Sequence, residues 1–183
     1  MQIFVDDIPE EGMTLQLESE KTLWLKTEVD RIFPDKDSHA LLKVAVTLIR
    51  IDDNVSITGD IKCEYDASCD RCLKEYRCKF SFPLNLLMLP QEDEKKKSKD
   101  EDVSAGETEI LFYESNRIYL NEIIGEQTVI NVPMKRLCTD DCKGLCSKCG
   151  KDLNEGECGC VREEGDPRLS VLRNWRKGNQ LDS

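Results

Sequence analysis

Residues 61–80 read IKCEYDASCDRCLKEYRCKF, and the folding of this stretch decides the shape of the chain. Cys69 and Cys72 stand at x2 spacing between two segments that alternate apolar and polar residues, the pattern of half-buried strands. The cysteines are symmetric about Asp70-Arg71. A hairpin centred there sets Cys63 opposite Cys78 and Cys69 opposite Cys72. Its tip offers two thiolates to one metal ion. Cys63 and Cys78 then lie about 20 Å down the strands, out of reach of a metal–sulfur bond of about 2.3 Å. They read as small buried hydrophobes, with a cross-strand disulfide as the alternative.

On either side of this hairpin the strand pattern continues. Leu41–Ile51 (LLKVAVTLIRI) is β-rich, Asp52-Asp53-Asn54 is a turn, Val55–Tyr65 alternates, and Lys74–Leu89 runs to Pro90. Residues 1–18 give two extended segments around Pro9–Gly12. Leu25, Val29, Ile32 and Phe33 follow helical spacing within Thr22–Phe33, with Trp24 packing at the edge and Pro34 as the stop. Ile110–Tyr113 is a short strand. Asn121–Val132 is a helix carrying Ile123, Ile124, Gln127 and Val129, closed by Pro133. The expected class is α+β: an antiparallel β meander or partial barrel with a few helices, plus a small C-terminal cysteine-rich zinc-binding segment.

The other six of the ten cysteines lie in residues 138–160, CTDDCKGLCSKCGKDLNEGECGC. Eight thiols then divide into two four-coordinate sets, Cys69 and Cys72 with Cys138 and Cys142, and Cys146 and Cys149 with Cys158 and Cys160. Cys142 could instead replace a neighbour in the second set. Structural zinc takes closed tetrahedral thiolate sets, and Gly150 permits the knuckle turn after Cys149. One or two zinc ions are expected. Two zinc tetrathiolates would move the formal charge from −11 to about −15. The domain division expected is a β-rich core over residues 1–133, with a disordered acidic linker at 91–108, and the cysteine-rich segment with a C-terminal helix over 134–183.

Composition narrows the function. A net charge of −11 and a pI near 4.7 argue against gripping phosphate backbones through bulk charge and favour a basic partner. The first residues, MQIFVDDIPEEG, have neither a basic nor an apolar region of a signal peptide, and no apolar run is long enough for a membrane helix. A cytoplasmic, reducing setting is expected, where paired cysteines serve metals rather than disulfides. An iron–sulfur cluster would use the same thiolates. A redox dithiol at Cys69 and Cys72 would need a lowered thiol pKa, usually at a helix N-terminus, and four cysteines leave a catalytic zinc no open position. His39, the only histidine, sits in a polar loop as a surface residue. Asp166-Pro167 starts a final helix with an apolar stripe of Leu169, Leu172 and Trp175. Arg168, Arg173, Arg176 and Lys177 make it the one local basic cluster, against the plainer reading of a solvated helix face.

These motifs together resemble the YceD family. The residues that carry the resemblance are Cys69-Asp70-Arg71-Cys72-Leu73 after two long strands, a helix ending at Pro133, and Asp141-Cys142-Lys143-Gly144-Leu145-Cys146. Cys149-Gly150, Leu153-Asn154-Glu155-Gly156, Cys158-Gly159-Cys160 and Asp166-Pro167-Arg168 extend it across nearly the whole chain. The resemblance implies a non-enzymatic role in accumulation or assembly of the large ribosomal subunit and its rRNA. The implied partner is a basic ribosomal protein or a large-subunit assembly intermediate, with indirect rRNA contact through Arg168, Arg173, Arg176 and Lys177. Some members of the family lack the second cysteine cluster, which implies a structural staple there. The alternatives are a thiol redox or metal-dependent enzyme, and a zinc donor to a ribosomal protein.

Overall fold

The computed structural model describes residues 1–34, 39–91 and 108–160. The acidic stretch 92–107, and the expected final helix with its four basic residues, lie outside them. The elements in order are β1 (Gln2–Phe4), β2 (Met13–Glu18), α1 (Leu23–Ile32), β3 (Leu41–Ile51), β4 (Asn54–Ser68), β5 (Glu75–Pro90), β6 (Glu109–Tyr113), β7 (Arg117–Tyr119) and α2 (Leu120–Asn131). A single 3-10 turn at Val5–Asp7 follows β1.

Five strands form one sheet in the order β2-β3-β4-β5-β6. The first four are an antiparallel meander, so the α+β class read from the sequence holds. Two pairings differ from the expectation. β6 runs parallel to β5, with Leu86 beside Glu109 and Pro90 beside Tyr113. A parallel neighbour needs a crossover of about a dozen residues or more, which the stretch between Gln91 and Thr108 supplies. β1 does not pair with β2 but with β7, in a separate two-stranded sheet.

One face of the large sheet is the core face. Period-two burial puts Leu42, Val44, Val46 and Leu48 of β3 there, with Val55, Ile57 and Ile61 of β4 and Leu84, Leu86 and Met88 of β5. The helices close over it with Leu25 and Val29 from α1 and Leu120, Ile123 and Ile124 from α2. Each such side chain contributes about 1.5–3 kcal/mol by leaving water. The buried stripe of α2 continues to Thr128, whereas Val129 is exposed. Among the described residues no helix is long and apolar enough to cross a membrane.

The hairpin register is a correction. Cys63 pairs with Phe80 and Cys78 with Tyr65, two residues from the symmetric expectation. The tip is not a two-residue turn at Asp70-Arg71. The Cys69 amide donates to the Lys74 carbonyl at 2.9 Å, and the Leu73 amide to the Cys69 carbonyl at 2.9 Å. Leu73 takes φ 62 to complete the loop, and this wider loop displaces the ladder. Cys63 and Cys78 are free thiols packed in the core, and burial, then the nearby Cys78, pushes Cys63 up to about 12. In the native protein both thiols should resist alkylation until denaturant is added, as mass spectrometry of labelled protein will report. Cys63→Val should leave the metal content unchanged and cost less than about 1.5 kcal/mol.

Candidate metal centre

Two cysteine knuckles of the same design build the site. In the first, Cys69 starts the loop that Leu73 and Lys74 close. In the second, the Cys146 amide donates to the Lys151 carbonyl at 2.8 Å and the Gly150 amide to the Cys146 carbonyl at 2.9 Å. Gly150 takes φ 73, the conformation Leu73 adopts in the first loop. Each loop turns backbone amides onto its leading sulfur. Burial disfavours the Cys69 thiolate, but the amides of Cys138, Cys72 and Arg71 outweigh it and bring the thiol down to about 6. Amides of Cys149 and Lys148, with the Cys158 thiol, bring Cys146 to about 6.

The sulfurs gather as the spacing predicts. Cys69, Cys72, Cys138 and Cys142 lie with their sulfurs within 4.8 Å of one another, and so do Cys146, Cys149, Cys158 and Cys160. Within the first set the Cys69–Cys142 and Cys72–Cys138 sulfurs stand 3.7 and 3.6 Å apart. A tetrahedron of sulfurs around an ion at about 2.3 Å has edges of about 3.8 Å, so this set has the dimensions of a four-thiolate metal site. Charge agrees with geometry. The Lys74 amide favours the Cys72 thiolate, but burial and the thiols of Cys138, Cys69 and Cys142 push Cys72 up to about 12. The Cys149 and Cys158 thiols, then burial, push Cys160 up to about 12. Four sulfurs this close do not all ionise without a cation among them. Cys142 belongs to the first set, which settles the open choice of its position.

The two sets differ in exposure. Cys69, Cys72 and Cys142 are buried, with Cys142 only 2% exposed, whereas Cys149 faces solvent and its three companions are half-buried.

Several residues the sequence reading left without a role hold these sets in place. Asp70 exchanges backbone bonds with the segment after α2: its amide donates to the Arg136 carbonyl at 2.7 Å, and its carboxylate accepts from the Arg136 amide at 2.8 Å and guanidinium at 3.2 Å. Arg71 donates to the Cys142 carbonyl at 2.8 Å and accepts from the Leu145 amide at 3.0 Å. A Cβ on Gly144 would stand 2.9 Å from the Arg71 carbonyl oxygen, so the approach requires glycine. Asn154 links the sets. Its side chain donates to the Cys142 sulfur at 3.4 Å and accepts from the Lys143 amide at 2.8 Å. The Asp-Arg pair inside the knuckle and an asparagine between the last two cysteine pairs are visible in the sequence, but their partners lie 66, 71 and 12 residues away.

Fold and site together define a class: a β-meander protein whose central hairpin tip and trailing segment gather two sets of four thiols in the manner of structural metal sites. The chain belongs to the YceD family, described as large ribosomal RNA subunit accumulation protein YceD, which it matches over residues 57–175. The chain is similar to the large ribosomal RNA subunit accumulation protein YCED homolog 1, chloroplastic, of Arabidopsis thaliana, with 34% identity over 67 residues, 37% of this chain and 21% of that one. An uncharacterized protein of Mycobacterium tuberculosis (strain H37Rv) is 27% identical over 136 residues, 74% of this chain and 62% of the relative. A Mycobacterium bovis protein shows the same figures. The matches thus span less than two thirds of the length of these relatives. No solved structure matches the chain.

Proposed function

We propose that this protein is a non-enzymatic cytoplasmic factor that supports accumulation or assembly of the large ribosomal subunit and its rRNA, with structural zinc in both cysteine sets. Membership of the family described by large ribosomal RNA subunit accumulation carries the reading. The zinc assignment is supported by the all-thiol donor sets and the 3.6–3.7 Å sulfur separations in the first. On this reading residues 1–133 are the core body, and residues 134–183 are a metal-binding segment clipped to it by the first set. The whole chain's net charge of −11 suits a basic ribosomal protein or an assembly intermediate rather than naked RNA. The sequence-read cluster of Arg168, Arg173, Arg176 and Lys177 is the place for indirect rRNA contact.

The enzyme alternative is weaker on physical grounds. A redox dithiol needs an accessible thiolate, and Cys69 is fully buried. Four thiolates around an ion leave no open position for metal-assisted hydrolysis. The exposure of Cys149 favours a second reading, in which the outer set donates its zinc to a ribosomal protein. Depletion in cells decides the main reading: large-subunit rRNA should fall relative to small-subunit rRNA, and an unchanged ratio would reject it. Elemental analysis of protein purified without refolding should find two zinc ions per chain. A mild chelator that removes the outer ion without harming rRNA levels would reject the donor reading.

The bond from Asn154 to the Cys142 sulfur makes a finer point. Outer bonds to a ligating atom change metal affinity by about 10–100-fold. Asn154→Ala should keep both ions bound but release the inner one at least about tenfold faster to a colorimetric chelator.

A further inference from the structure

The face of the large sheet turned away from the helices carries an apolar patch at one end. Ile49 pairs with Ser56, Ser56 with Leu87, and Leu87 with Ile110, a single rung across four strands. Beside it Leu89 pairs with Phe112, and Ile51 with Asn54. Ile49, Ile51 and Phe112 are 41%, 56% and 63% exposed, and Leu87, Leu89 and Ile110 are half-buried. With neighbouring strands about 4.8 Å apart, the rung spans about 14 Å. Elsewhere this face carries the usual solvent-facing residues, such as Lys43, Thr58, Asp60 and Lys62. Single exposed apolar residues are ordinary; a continuous patch rimmed by polar groups marks a binding surface.

The rim is acidic. Asp52 and Asp53 are exposed at the β3–β4 turn that ends the patch. Arg50, the nearby cation, is paired with Asp6 at 3.0 Å.

We infer that this patch is the docking surface for a segment of a basic protein, with apolar residues entering between the strands' side chains and flanking lysines or arginines meeting the acidic rim. The inference rests on the proposed ribosomal role and adds the surface that serves it. Charge selects the occupant. RNA phosphates would meet Asp52, Asp53 and a net charge of −11, and a second copy would bring another −11. A basic segment gains on both counts, and rim charges steer its approach.

The test places the photo-cross-linking residue p-benzoyl-phenylalanine at position 112 of the full chain. The probe is the total protein extracted from purified large ribosomal subunits, at physiological salt. Illumination should link position 112 to a lysine- or arginine-rich segment of one subunit protein. Ile51→Ser with Phe112→Ser, which alters no charge, should weaken capture of that protein about tenfold or more while leaving the melting temperature and metal content unchanged. If the unmodified chain captures a subunit protein but position 112 gives no cross-link and the double variant binds equally well, the surface is wrong and the ribosomal reading stands. If the unmodified chain captures no subunit protein, the reading falls and the surface with it. Cross-links confined to the same molecule, to a second copy or to RNA added with the proteins would also overturn the docking surface.

Discussion

With zinc in both sets as proposed, Cys69→Ser is expected to lose one of the two ions and to release the segment after α2 from the hairpin tip. Cys69 is fully buried, its sulfur lies 3.7 Å from that of Cys142, and a hydroxyl neither supplies the thiolate nor relieves its three crowded partners. A structural zinc site is worth about 10–16 kcal/mol of apparent binding free energy, as large as the net stability of about 5–15 kcal/mol of an ordinary domain. Among the described residues, the segment's other ties here are the packing of Leu137 and Leu145 around the set, the Arg71–Cys142 bond and the bonds of the knuckle itself. Near the site, the Asp70–Arg136 and Arg71–Leu145 bonds all hang on the same knuckle. Hydrogen exchange should therefore speed up together at Asp70, Cys142 and Leu145, while β3 and β4 stay protected. Cys149→Ser, in the exposed set, should also lose one ion but leave exchange at the hairpin tip slow. Retention of both ions by the Cys69 variant, or undisturbed protection at Asp70, would contradict the arrangement.

Gly59→Ala is expected to be the most damaging single methyl in the sheet. Gly59 pairs with Val46 in the middle of the β3–β4 ladder. A Cβ there would stand 2.0 Å from the Ala45 carbonyl oxygen and 2.7 Å from the Val46 Cα, both backbone atoms that no rotamer change can move. The strands must part locally, breaking ladder bonds beneath buried Val44 and Val46. The cost should be about 3 kcal/mol or more. Thr58→Ala, on the exposed side of the same strand, should change stability by about 0.5 kcal/mol or less. Urea unfolding of the two variants measures both, and similar midpoints would show that β3 does not approach this closely.

The comparison explains which features a sequence can disclose. β3 and β4 were legible because Leu41–Ile51 and Val55–Tyr65 keep period two against a single buried face. The thiol partition was legible in part: short spacing fixes which sulfurs share a loop, and distance down an extended strand excludes Cys63 and Cys78, but the place of Cys142 stayed open until the fold brought it to Cys69. The register was not, because a knuckle closed by Leu73 in a left-handed conformation looks, in sequence, like a tighter turn. The parallel placement of β6 depends on where a crossover lands, which its own five residues do not encode. The apolar patch left a trace in Leu86-Leu87-Met88-Leu89. An unbroken apolar run is the signature of a strand covered on both sides, and here Leu86 and Met88 meet the core while Leu87 and Leu89 take the other side. Arg71 and Asn154 were silent because a hydrogen bond across the fold has no local signature.

With a metal ion in each set as proposed, the inner cysteine set also fixes an order of events in refolding. Its sulfurs come from residues 66 and 73 positions apart in the chain, so its ion has nowhere to sit until β4, β5 and α2 have found one another. The outer set lies within Cys146–Cys160 and closes only short loops, for which the entropic cost is smaller and the search faster. In a stopped-flow experiment with cobalt as the reporter, colour from the outer centre should therefore rise first, and colour from the inner one should follow at the rate at which the sheet forms.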